Sequence, residues 1–217
     1  MTQLIIFDFD GVIINSHQVQ RKALKEAYFS VGGTGSPPYN EFFRHSGDSL
    51  KNILKKIKLP VSMVKKYEEV SRENKHLIQL HAGMTEVLQS CKDTGYQCAL
   101  CTGKSRARTM EILQMLSLLQ FFDAVICSDD IANPKPHPES VFVLLNALSV
   151  KKENAIFVGD GINDMLCAHN AGVRSVAVTW GDVSRNDLVK TKPDRLVDSA
   201  AELLACLIGK SGLLLSC

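Results

Sequence analysis

Asp8 and Asp10 stand two residues apart, after the apolar run Leu4-Ile5-Ile6-Phe7 and before Gly11. In extended backbone that spacing turns both carboxylates to one face and Phe7 and Phe9 to the other. Two anions so close persist cheaply only if one is protonated or a cation lies between them. Gly11 permits the sharp turn, with positive φ, that a chain leaving a strand needs. Taken alone, the fragment is equally a solvated acidic turn. The pattern recurs, however, in Ile156-Phe157-Val158-Gly159-Asp160-Gly161-Ile162-Asn163-Asp164. Asp160 falls at a strand end and Asp164 one helical turn beyond it, so four acids aim at one crevice. A hard, oxygen-seeking cation would offset them, and Mg²⁺ is the natural choice where phosphate is the substrate.

Three further groups carry chemistry. Thr102-Gly103-Lys104-Ser105 offers a hydroxyl and a glycine where a helix begins, a place suited to an anion, although Thr102 and Ser105 could equally be N-caps. Lys135 lies among the prolines of Asn133-Pro134-Lys135-Pro136-His137-Pro138, which either present it with little entropy left to lose or leave it idle on a stiff loop. Arg44, His45 and the turn Ser46-Gly47-Asp48-Ser49 join two helices, and such a loop can reach back toward a core. The many lysines of that region, Lys51 to Lys75, read as a solvated outer face.

These groups need elements to position them. The first acids end a buried strand; helical spacing then runs over residues 19–29, 40–45, 49–57 and 61–80, broken by Gly, Pro and Ser-Gly-Asp stretches, with Asn15-Ser16 as the N-cap candidate. From Gly83 strands (98–101, 124–127, 155–158, 173–178) alternate with helices (to 94, then 105–118, 138–148, 162–171, 199–208). The rhythm predicts an α/β chain with a doubly wound parallel sheet, whose strand ends gather the chemistry, and an inserted all-helical segment. The expected division is a core of residues 1–14 and 82–210, a helical insertion at 15–81 and an apolar tail at 211–217 containing Leu213-Leu214-Leu215.

The 217 residues, 45% hydrophobic, suffice for a full core, and a net charge of +2 gives no reason to expect nucleic acid or a membrane surface. No apolar stretch reaches membrane-spanning length and no signal core follows Met1, which predicts a cytoplasmic protein, with a monomer favoured. Seven scattered cysteines suit reduced thiols. Cys98-Ala99-Leu100-Cys101 is a CxxC, but alternation in a strand sends its two thiols to opposite faces.

The ordered set Asp8-Phe9-Asp10-Gly11-Val12, Thr102-Gly103, Lys135-Pro136-His137-Pro138 and Gly159-Asp160-Gly161-Ile162-Asn163-Asp164 resembles the four motifs of the haloacid dehalogenase-like hydrolases. Within them it resembles the phosphoglycolate phosphatase and β-phosphoglucomutase branch, and residues 102–181 also resemble phosphatases of aminohydroxybenzoate biosynthesis. The resemblance implies a Rossmann-like core with a helical cap and a Mg²⁺-dependent phosphatase acting on a small-molecule phosphate ester. It implies that Asp8 is the nucleophile, that Asp10 is acid then base, and that Mg²⁺ is held by Asp8, the Asp10 carbonyl and Asp160, with Asp164 orienting a metal-bound water or Lys135. Thr102, Gly103 and Lys135 would bind the phosphoryl group, while Arg44, His45 and Gly47 would face the leaving group from the cap. Gly103 departs from the Asn or other small residue that many relatives carry there, which implies weaker phosphate binding or room for a bulkier substrate. A sugar-phosphate mutase, a phosphonatase using a cap lysine, and a non-catalytic phosphate-binding module are the alternatives; Asp10, which could protonate a leaving alkoxide, argues against a dehalogenase.

Overall fold

A computed structural model describes residues 4–208; the predicted tail, Leu213-Leu214-Leu215 included, and residues 1–3 and 209–210 of the predicted core lie outside the described residues. The elements run β1 (Leu4–Phe7), β2 (Ile14–Asn15), α1 (His17–Ser30), α2 (Tyr39–Arg44), α3 (Leu50–Lys56), α4 (Met63–Glu73), β3 (Gln79–Leu80), α5 (Met84–Asp93), β4 (Gln97–Cys101), α6 (Arg106–Met115) and β5 (Ala124–Ile126). They continue with α7 (Glu139–Ala147), β6 (Ala155–Gly159), α8 (Ile162–Ala171), β7 (Arg174–Val178), α9 (Arg185–Lys190), β8 (Arg195–Val197) and α10 (Ala200–Ile208).

Six strands form one parallel sheet in the order β5-β4-β1-β6-β7-β8, as the alternating rhythm predicts. β1 is its centre, and all four of its residues are fully buried because helices cover both faces. Ile5 and Phe7 join α5, α6 and α10 in one apolar cluster; Leu4 and Ile6 join α7 and α8 in another. The two CxxC cysteines divide the same way, Cys98 to the first cluster and Cys101 to the second, and neither is bridged. The register matters most for function. Phe7 stands opposite Leu100 on one side and Val158 on the other, so β1, β4 and β6 end level and deliver Asp8, Thr102 and Asp160 to one edge.

Between β2 and β3, which pair antiparallel, α1–α4 pack around Ala23, Leu24, Phe42, Leu54, Met63 and Val70, a cluster separate from those of the sheet. The helix predicted over 61–80 ends at Glu73, followed by a 3-10 turn at Lys75–Leu77 and by β3. Asn74 stops it: the side-chain amide donates to the Val70 carbonyl (2.8 Å) and the side-chain oxygen accepts from Lys22 (2.7 Å), which fixes a non-helical exit. Helical periodicity could not show this, because Ile78 turns into the sheet's own core. The short α9 and the edge strand β8, three residues long, escaped prediction for want of a long enough pattern.

Candidate active site

At the level edge, Lys135 binds three acceptors at once: Asp8 Oδ1 at 2.6 Å, Asp164 Oδ1 at 2.7 Å and the Cys101 carbonyl at 3.0 Å. Every ammonium proton is thereby used. Lys135 is 2% exposed, as is Asp8, and Asp164 is fully buried. Asp164 also accepts from the Gly161 amide through Oδ2 (2.9 Å), which satisfies the start of α8. Its two oxygens are thus engaged, which suits it to holding Lys135.

Asp8, Asp160 and Asp164 bring carboxylate oxygens within 4.8 Å of one another. Asp160 Oδ2 accepts from the Asp182 amide (2.9 Å), whereas Oδ1 is buried with no hydrogen-bond partner. A buried carboxylate oxygen without a donor is costly, and an oxygen-binding cation would satisfy it, so the residues present fit a divalent metal. Burial, despite the attraction of Lys135, pushes the Asp8 carboxyl up to about 7. Burial, with Asp164 and Asp8 adding to it, likewise holds Asp160 well above the ordinary carboxylate range.

An acid whose folded pKa is raised favours the folded state at low pH, and that advantage is lost as pH climbs from the unfolded value of 3.8 to about 7. A cation must displace the retained protons, so its affinity should rise with pH, by up to about tenfold per unit for each proton released. Mg²⁺ is therefore expected to raise Tm more at pH 8 than at pH 6 in thermal unfolding; equal shifts at both would remove Asp8 and Asp160 from the metal site.

Above the edge lies a cavity of about 530 Å³. Its floor comes from Asp8, Asp10, Thr102, Gly103 and Lys104, and its roof from Gln20, Phe42, Tyr67 and the loop Ser46-Gly47-Asp48-Ser49. Asp10 is outside the acidic trio: its carboxylate accepts from Ser16 Oγ and from Gln20 Nε2 (3.3 Å), and Lys104 Nζ lies 3.1 Å from Oδ2. Ser16, read from sequence as an N-cap, makes no cap bond because its hydroxyl is turned to Asp10. Thr102, 4% exposed, accepts from the Lys104 amide (3.2 Å).

The structure thus gathers Asp8, Asp10, Thr102, Gly103, Lys135, Asp160, Asp164 and Gly47 in one region. Arg44 and His45 are placed differently: neither lines the cavity, Arg44 is exposed, and His45 contributes its backbone carbonyl, which accepts from Asn163. The loop reaches the site through Ser46 to Ser49 instead. The room expected beside Gly103 is filled, since a Cβ there would lie 2.2 Å from the Asp48 carbonyl oxygen. Lys104, Gln20, Asn163 and Asp182 were missed. Asp182 could have been found, because it follows β7 as the other acids follow β1 and β6; His17 pairs with it at 2.5 Å. Asn163 had no such signal, since its partners are backbone carbonyls. A second acidic group, Cys127, Asp129 and Asp130, is already occupied by Arg106.

Comparison with known proteins gives one consistent picture. The family described as haloacid dehalogenase-like hydrolase matches residues 5–178. The pyrophosphatase PpaX of Bacillus cereus is 30% identical over 211 residues, covering 94% of this chain and 95% of its own. Among solved structures, a hydrolase from Pseudomonas syringae superposes with a TM-score of 0.85 at 20% identity, over 94% of this chain and 96% of its own. One described as a predicted phosphoglycolate phosphatase from Haemophilus somnus gives 0.78 at 24%, with the same coverage. At such identities the structures are similar in fold.

Proposed function

The chain belongs to the haloacid dehalogenase-like hydrolase family, and on that premise we propose that it is a Mg²⁺-dependent phosphatase of small-molecule phosphomonoesters. The observation carrying this reading is Lys135 bound to both Asp8 and Asp164, beside a buried Asp160 oxygen that lacks a donor, at the floor of a cavity. That is a nucleophile and its counter-charge in one hydrogen-bonded unit, with a cation seat beside them.

In this reading an Asp8 oxygen attacks phosphorus as the bond to the leaving oxygen breaks, giving an aspartyl-phosphate. Asp10 donates a proton to that leaving oxygen, then accepts one from the water that attacks phosphorus and returns Asp8 to a carboxylate. The Thr102 hydroxyl and the Gly103 amide hold phosphoryl oxygens, and Lys135 offsets the charge that gathers on Asp8 and the transferring group. Asp8, the Asp10 carbonyl and Asp160 would hold Mg²⁺, which when bound neutralises phosphoryl charge. Residues 15–81 serve as the cap, excluding water before attack. We take the setting to be cytoplasmic, where the unbridged cysteines of the described residues, five of the six buried, would stay reduced, and the working unit to be a monomer.

The test is phosphate release from a panel of phosphomonoesters, with inorganic pyrophosphate included because PpaX is named for it. Metal-dependent turnover of an organic ester above pyrophosphate is the expected result. Preference for pyrophosphate would move the substrate class toward that of PpaX. Interconversion of sugar phosphates without net release would make the protein a mutase, and borohydride trapping of a carbonyl substrate would make it a phosphonatase.

A further inference from the structure

The loop over residues 45–48 meets the core along a seam where glycines allow close approach. A Cβ on Gly103 would fall 2.2 Å from the Asp48 carbonyl oxygen and 2.8 Å from that of Gly47; one on Gly161 would fall 2.9 Å from the Ser46 carbonyl oxygen. From the other side, a Cβ on Gly47, whose φ is +89°, would fall 2.9 Å from Asp164 Oδ1. Gly103 and Gly161 of the core therefore let the loop's backbone rest on theirs, and Gly47 lets the loop settle against the Asp164 carboxylate. Across this seam Asn163, 6% exposed in α8, donates Nδ2 to the carbonyls of His45 and Ser46, both at 3.1 Å. The loop is also stiffened from behind. Asp48 accepts from the Ser49 amide (2.7 Å) and Asn52 Nδ2 (3.1 Å) and pairs with Lys56 (2.7 Å).

We propose that Asn163 and Gly103 are positioning residues that clasp loop 45–48 onto the catalytic edge, so that the loop's backbone, rather than a reaching side chain, forms the near wall of the substrate cavity. A side chain at 103 would lift the loop, and loss of the Asn163 amide would leave two carbonyls without their shared donor. Both changes loosen the loop from the catalytic edge. The physical contact stands by itself; only its effect on kinetics rests on the phosphatase reading.

Hydrogen exchange separates the two. In metal-free, substrate-free protein, amides of residues 44–50 are expected to exchange about tenfold faster in Asn163→Ala than in wild type, for loss of two hydrogen bonds. Asn163→Asp should exchange faster still, because an isosteric carboxylate confronts two carbonyl oxygens; a merely space-filling role would rank these variants the other way. Gly103→Ala should loosen the same segment from the opposite side, and it serves if the Asn163 variants fail to fold. Protection of β1 and β6 should be unchanged. In turnover, Asn163→Ala should raise KM for the preferred organic ester by about tenfold and leave a small ester such as methyl phosphate within about twofold. Unchanged exchange over 44–50 in the folded variants overturns the clasp. Absence of turnover in wild type overturns the phosphatase reading and leaves the exchange result standing.

Discussion

Asp8→Asn is expected to reduce phosphate release by about 10⁴-fold or more while leaving the metal-free protein at least as stable as wild type. The carboxamide keeps the shape and can still accept from Lys135 through Oδ1, but it cannot form the acyl phosphate. Stability moves the other way because Asp8 is costly as an anion: it is buried, with burial raising its carboxyl to about 7. At pH 8 the folded protein must hold that charge without water, a cost that a neutral amide removes; at pH 5 the wild-type acid is largely neutral and the gain should fade. Phosphate release and Tm in chelator at both pH values check the pair of claims. Residual activity within about a hundredfold would place the nucleophile elsewhere.

Lys135→Met should be equally inactive and, in contrast, clearly destabilised, by about 3–5 kcal/mol. Burial alone would favour the neutral amine, yet Asp164 and Asp8 hold the lysine charged and its pKa well above the usual range. Methionine fills similar volume, so the loss is electrostatic. It strands two buried carboxylates and leaves the Cys101 carbonyl without the lysine's donor. Adding Asp164→Asn to Lys135→Met should recover part of the loss, and Mg²⁺ should stabilise this variant more than wild type, since a cation can take up the stranded charge. Urea unfolding measures all of these. A cost below about 1 kcal/mol would mean that the three groups do not form the ion-paired unit seen in the structure. The opposite signs of the two substitutions are informative: both destroy turnover, but only one removes a counter-charge.

Much of this was legible because the chemistry sits at strand ends. An apolar run that breaks into Asp and Gly marks both a buried strand and the edge where it stops, so Asp8 and Asp160 announced the strands that carry them. Lys135 was legible as a candidate from its setting among prolines, and the family resemblance set it beside Asp8 and Asp164; its bond to the Cys101 carbonyl was not, since the register of the sheet brings that backbone group to it. The helical segment was read correctly where Gly and Pro punctuate it and misread after Glu73, where a side-chain hydrogen bond from Asn74 ends the helix while apolar spacing continues. Arg44 and His45 drew notice as charged groups near a turn. The contact is made by the plain backbone beside them, which no pattern of residue types displays.

β2 and β3 pair antiparallel where the chain leaves and rejoins the core. Ile14 faces Leu80 and Asn15 faces Gln79, so the chain departs from the sheet and comes back at adjacent points, with the ends already held together. Closing a longer or shorter excursion between such points changes the entropy of the chain only slowly with length. What lies between the two strands is therefore free to lengthen, shorten or be exchanged over evolutionary time without dislodging the aspartates, and new substrates can be acquired by a chain whose reaction stays the same.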